Sequence, residues 1–146
     1  MLTGRFGGTT GRPYIEGRLF LPRLGIDGNI SFLLDTGADS SILMPGDALR
    51  LKVPYDQLTG DSPAVGLGGE VHCYEENAVI AFSDPGRTVY AYQLDLDILP
   101  VDPTTMDFRS LLGRDILDRW RIVYDPSHHL LQATVRTADY KVDISV

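Results

Sequence analysis

The chain has 146 residues, 43% of them hydrophobic and 23% charged, which suits one domain with a buried core and leaves no room for two lobes of independent size. Twenty acidic residues against 13 basic ones give a formal charge of -7, and no basic cluster able to neutralise a phosphate backbone is present, so nucleic acid is not an expected partner. A single cysteine excludes an intrachain disulfide and the cysteine half of a metal cage. No apolar run has the length of a bilayer span and the N-terminus lacks the apolar stretch of a secretory signal, so the expectation is no membrane partner and, by default, a cytoplasmic setting.

In chain order, residues 1–11 hold four glycines and little apolar periodicity, and are expected to form a flexible lead-in to a single domain over 12–146. Tyr14 to Phe20 reads as a strand, Asp27-Gly28 as a hairpin turn, and Ile30 to Leu34 as the second strand, which runs into Asp35. Ser41 to Leu43 is a short strand stopped by Pro45-Gly46, and Asp47 to Lys52 has room for one or two helical turns. The glycine-rich Val65-Gly66-Leu67-Gly68-Gly69 precedes a strand from Val71 to Phe82 and reads as a mobile hairpin.

Asp84-Pro85-Gly86-Arg87 is a turn joining Ala78–Phe82 to an alternating strand over Thr88 to Leu96. Leu99 to Phe108, with two prolines and two aspartates, reads as a loop before the strand Ser110 to Leu112. Arg114 to Arg119 reads as a short helix, Trp120–Tyr124 and His129–Val135 as a hairpin about Asp125-Pro126-Ser127, and the remainder as a polar tail holding Tyr140 and Val142. The sum is a mostly β fold with one short helix in the C-terminal third and a hairpin extension after it.

The chemistry concentrates in two stretches. In Leu33-Leu34-Asp35-Thr36-Gly37-Ala38-Asp39-Ser40-Ser41 an apolar strand delivers a carboxylate to a tight turn, beside a hydroxyl and small residues that let another backbone approach. Taken alone, Asp-Thr-Gly reads equally well as an ordinary turn. The second stretch, Leu111-Leu112-Gly113-Arg114-Asp115, is an apolar-apolar-glycine run able to close a loop beneath the first. The histidines do not suggest zinc: His72 is isolated, and His128-His129 are neighbours whose side chains would point apart. Cys73 beside His72 lacks the spacing of a nucleophile and its base, no Gly-x-Ser-x-Gly elbow exists, and Cys73 reads as a small buried hydrophobe. Tyr90, Tyr92 and Trp120 read as packing residues.

Asp35-Thr36-Gly37-Ala38, the glycine-rich hairpin at Gly66 to Gly69 and Leu111-Leu112-Gly113-Arg114-Asp115 together resemble the retropepsin-like aspartic proteases, over about Arg12 to Leu131. The resemblance implies a closed β-barrel, no cofactor, and an active site at a homodimer interface to which each chain gives one catalytic aspartate, here Asp35. It implies that Thr36 braces the two active-site loops across the axis, and that Gly37, Ala38 and Asp39 meet an extended peptide. Leu67, Gly68 and Gly69 would cover that peptide as a flap. Gly113 and Arg114 would support the loop, Arg114 by pairing with Asp39, while Arg12 would reach toward Asp39 of the other chain. Asp115 reads instead as a helix N-terminal charge.

The chain departs from the smallest members in a longer hairpin before Asp35 and in the extension from Trp120 to Val146, so the dimer interface stays open. There is no second Asp-Thr-Gly or Asp-Ser-Gly. The expected function is a homodimeric aspartic endopeptidase acting through two Asp35 carboxylates and a water. The alternatives are a non-catalytic binding or assembly domain of the same fold, or one lobe of a larger protease.

Overall fold

The computed structural model describes residues 1–66 and 69–144, with side chains described outside 62–71. Its strands are β1 (Leu2–Thr3), β2 (Arg5–Gly7), β3 (Arg12–Leu21), β4 (Ile26–Leu34), β5 (Ile42–Leu43), β6 (Ser62–Gly66), β7 (Gly69–Ser83), β8 (Thr88–Ile98), β9 (Leu111–Leu112), β10 (Trp120–Asp125), β11 (Leu130–Val135) and β12 (Tyr140–Asp143). Two short helices, α1 (Pro45–Arg50) and α2 (Arg114–Leu117), interrupt them. The mostly β class with few short helices agrees with the sequence; α1 overlaps the stretch with room for one or two helical turns and starts two residues earlier, at Pro45, whose fixed φ suits a first helical turn.

Among the described residues the strands fall in two sheets. The larger runs β12-β8-β5-β9-β4-β3-β7-β6, and because β7 also pairs with β8 the hydrogen bonding returns on itself through β8, β5, β9, β4, β3 and β7. Alternation explains what fills the enclosed space. In β3 the odd positions Ile15, Gly17, Leu19 and Leu21 point inward, meeting Ile30 and Phe32 of β4, Ile80 and Phe82 of β7, and Tyr92, Leu96 and Ile98 of β8. Gly17 belongs to this layer because a Cβ there would stand 2.9 Å from the Phe82 ring. Phe82 also lies edge-on to Trp120 at 5.0 Å between centroids, and the Trp120 indole N–H donates to the Tyr92 hydroxyl, which donates in turn to the Thr137 carbonyl.

The second sheet is β1-β11-β10. The segment expected to be a loose lead-in therefore carries two strands, β1 on β11 and β2 on β3, and Leu2 is 1% exposed. Burial of that leucine supplies the reason that glycine content hid. Likewise the supposed polar tail forms β12, paired to β8 from Tyr140↔Ala91 to Asp143↔Thr88.

The hairpin before Asp35 turns elsewhere than Asp27-Gly28. β4 passes straight through those residues, and the chain reverses in a single 3-10 turn at Pro22–Leu24 closed by Gly25 at φ 65°. Gly28 serves packing instead, since a Cβ there would fall 2.2 Å from the Leu51 side chain. Later boundaries shift little: β8 runs on to Ile98, α2 stops at Leu117, and His129 takes a left-handed φ of 51° before β11 rather than joining it.

Candidate active site

β4 and β9 lie parallel, Leu33 opposite Leu111 and Leu34 opposite Leu112, so Asp35 and Gly113 leave the sheet side by side. The Asp35 N–H donates to the Leu112 carbonyl at 3.0 Å, and the Leu33 N–H to the Ser110 carbonyl at 2.9 Å. The strand end beneath the carboxylate is thus held by backbone alone. Beyond it the chain turns tightly, with the Ala38 N–H donating to the Asp35 carbonyl and the Gly37 N–H to Asp35 Oδ1 at 2.9 Å. Asp35 is half-buried, while Thr36 and Gly37 are exposed.

The second stretch does close beneath this loop. The Arg114 N–H donates to the Ala38 carbonyl at 2.8 Å, and a Cβ on Gly113 would lie 2.5 Å from the Ser40 carbonyl carbon and 2.9 Å from the Ala38 oxygen. Only glycine admits that approach, at an ordinary negative φ, so the demand is for space rather than for backbone freedom. Arg114 reaches Asp39 as an ion pair, yet Asp39 is 88% and Arg114 47% exposed, and such pairs contribute little.

The firmer tie went unread in the sequence. Ser41 is fully buried; its N–H and hydroxyl donate to the two Asp115 oxygens at 2.9 and 2.7 Å, and its oxygen accepts the Gly113 N–H at 3.0 Å. Asp115, read as a dipole charge, is a loop brace. A second buried serine, Ser110, donates to Asp47 at 2.6 Å and accepts the Met44 N–H, fixing the start of β9 to α1. Ser40 donates to Asp97, a buried carboxylate on β8. Serines beside turn residues carry no mark separating a buried brace from a solvated hydroxyl; the one available signal was that Ser41 directly precedes Ile42-Leu43, at the mouth of a strand.

Of the residues expected to meet a peptide, Gly37, Ala38 and Asp39 stand together on this loop. Gly69 opens β7 opposite Gly66, while Leu67 and Gly68 lie outside the described residues. β6 and β7 pair from Ser62↔Cys73 to Gly66↔Gly69, confirming a hairpin over this segment. A cavity of about 530 Å³ lies at its root, between Leu58–Asp61 and His72–Tyr74 with Pro100 at the rim; Asp35 does not line it. Burial pushes the Cys73 thiol up to about 11 there, so it is almost wholly neutral at pH 7 and unsuited to nucleophilic attack, while His72 Nδ1 lies 3.3 Å from Asp61. Among the described residues no cluster of three or more His, Cys, Asp or Glu is placed to hold a metal, and no helix is long and apolar enough to cross a membrane.

No family model and no curated protein matches the chain. Among solved structures it is similar to a retropepsin-like aspartic protease from Rickettsia conorii, at 22% identity over 88% of this chain and 94% of that one, with a TM-score of 0.49. It is also similar to the EIAV protease complexed with the inhibitor HBY-793, at 22% identity over 77% of this chain and 90% of that one, with a TM-score of 0.45. These are likenesses of chain path, and what the chain does rests on its own residues.

Proposed function

We propose that the chain is an aspartic endopeptidase that works as a homodimer, hydrolysing a peptide bond through a water held between the Asp35 carboxylates of two copies. The observation that carries this reading is the Asp35 loop. A half-buried carboxylate stands at a strand end, one oxygen oriented by the Gly37 N–H, on a turn fixed from beneath by Leu112, Gly113 and Arg114 backbone and by the Ser41–Asp115 brace. A solvated turn aspartate has no need of such support.

The chain holds one Asp-Thr-Gly. Two carboxylates within hydrogen-bonding range share a single proton, because ionising both is costly, so the second acid comes from a second copy. The ionised Asp35 takes a proton from the water as its oxygen attacks the peptide carbonyl carbon, while the protonated Asp35 gives its proton to the carbonyl oxygen. Collapse of the resulting diol breaks the C–N bond: the departing nitrogen receives the proton taken from water, and one diol hydroxyl gives its proton to the other Asp35, which restores the shared proton. No metal and no covalent intermediate enters.

In this reading Thr36 braces the paired loops, and Gly37, Ala38 and Asp39 line the peptide, which binds extended through its backbone. The β6–β7 hairpin, with Leu67, Gly68 and Gly69, covers it as an added strand would. Arg12 extends toward Asp39 of the other copy.

The test compares wild type with Asp35→Asn on a mixed peptide library at mildly acidic pH, with sedimentation to count subunits. Cleavage should fall by about 10³-fold or more in a variant that stays folded and dimeric. Activity that survives the substitution overturns the proposal, and inactivity of both forms as dimers points to a binding or assembly domain.

A further inference from the structure

Arg23 sits in the 3-10 turn between β3 and β4, at the opposite end of β4 from Asp35. Its guanidinium nevertheless ties two other segments to that turn. Nε and Nη2 donate to both oxygens of Glu76 at 2.6 to 3.2 Å, and Nη2 also donates to the Gln57 carbonyl at 2.7 Å. Glu76 belongs to β7 just below the point where β6 and β7 part from the barrel, and Gln57 belongs to the chain about to enter β6. One side chain therefore grips both roots of the hairpin.

The surroundings reinforce this placement. The Glu76 side chain is 4% exposed whereas Arg23 is 48% exposed, so a buried carboxylate relies on one cation reaching in from the surface. Near the same root the Tyr55 hydroxyl donates to the Leu99 carbonyl at 2.7 Å, and the Tyr55 ring meets Tyr74 edge-on at 5.9 Å. Gly60 crosses directly over the Glu75 backbone, where a Cβ would fall 2.3 Å from the carbonyl oxygen. The hairpin above the root has fewer ties: β6 pairs with β7 and with no other described strand. A two-stranded ribbon of this kind points wherever its base points.

We propose that Arg23, through Glu76 and the Gln57 carbonyl, is a positioning residue that sets the direction in which the β6–β7 hairpin projects over a bound peptide. The role rests on the proteolytic reading above only for its functional consequence. Arginine is required at this position because its planar fork spans a carboxylate and a carbonyl at once, whereas a lysine ammonium is a single point charge on a flexible stem.

Backbone hydrogen exchange and peptide kinetics on Arg23→Lys and Glu76→Gln test this, with Arg18→Lys as comparator because Arg18 forms an exposed pair with Asp27 on the β3–β4 hairpin. Both test variants should speed exchange about tenfold in Ser62–Gly66 and Gly69–Tyr74 while leaving β4 and β9 unchanged. They should raise KM about threefold or more with kcat altered less than about twofold, as expected when positioning for substrate is lost and the reacting groups are intact. Arg18→Lys should move none of these readouts. Unchanged hairpin exchange, or exchange accelerated equally throughout the chain, would overturn the assignment. If wild type cleaves no peptide the proteolytic reading falls, and the exchange pattern alone still decides whether Arg23 anchors the hairpin.

Discussion

Ser41 and Asp115 lie 74 residues apart and are joined twice, N–H to Oδ2 and hydroxyl to Oδ1, with the same hydroxyl oxygen taking the Gly113 N–H. This three-residue knot ties the strand that leaves the Asp35 loop to the turn that underlies it. Removing the hydroxyl orphans the buried Gly113 N–H and one Asp115 oxygen together. Ser41→Ala should therefore cost about 1–3 kcal/mol of stability, and Asp115→Asn, which keeps one acceptor, less. Urea denaturation reads both, and a Ser41→Ala midpoint equal to wild type would show the knot to be idle.

Gly113 and Gly8 separate two reasons for glycine. At Gly113 an added methyl meets the Ser40 backbone at 2.5 Å, and backbone cannot swing aside as a side chain can. Gly113→Ala should destabilise by about 3 kcal/mol or more. Gly8 has φ 69° and nothing within 4 Å of its missing Cβ, so Gly8→Ala meets only the left-handed penalty of about 1–2 kcal/mol. Equal losses for the two substitutions would contradict the packing account.

Acid should loosen the peripheral attachments first. Hydrogen bonds from Arg119 and from the Gln93 N–H hold the Asp139 carboxyl below its usual range, and the Thr88 N–H, with the terminal amine of Met1, does so for Asp84. A carboxyl whose pKa is lower folded than unfolded adds stability above the unfolded value of about 4 and loses it as pH falls through the folded one. Asp139→Asn should thus lower the denaturation midpoint at pH 7, and the gap from wild type should close as pH falls through the lowered folded-state pKa. A gap that persists unchanged in acid would refute the assignment.

Cys73 offers a probe of integrity. It is buried, and its thiol is raised to about 11, so alkylation at neutral pH should proceed only as fast as the structure opens. Labelling by a thiol reagent should be slow in buffer and immediate in denaturant, and rapid labelling of the folded protein would contradict its burial.

How far the sequence speaks is visible residue by residue. The Asp35 turn and Gly113 were legible only in combination, because Asp-Thr-Gly alone is an ordinary turn sequence and a later apolar-apolar-glycine run adds the chain able to close beneath it; the two stretches do meet. Gly28 misled because turn preference and close packing both select glycine, and only the distant Leu51 distinguishes them. Leu2 was hidden by its glycines, since two-residue pairing with β11 has no local periodicity. Ser41, Ser110 and Arg23 act across long sequence separations, through partners that no window on the chain brings together.

β1 pairs with β11 of its own chain, and Leu2 is already packed away within a single copy. A single copy therefore holds these contacts by itself, and in the proposed homodimer folding would not have to wait for assembly. On dilution the melting temperature should level off at the value set by the single subunit, whereas an obligate pair would go on melting earlier the further it was diluted. Any activity that needs two copies would instead fade on dilution while the fold endures, making subunit encounter, and not unfolding, the natural point at which such an enzyme is switched off.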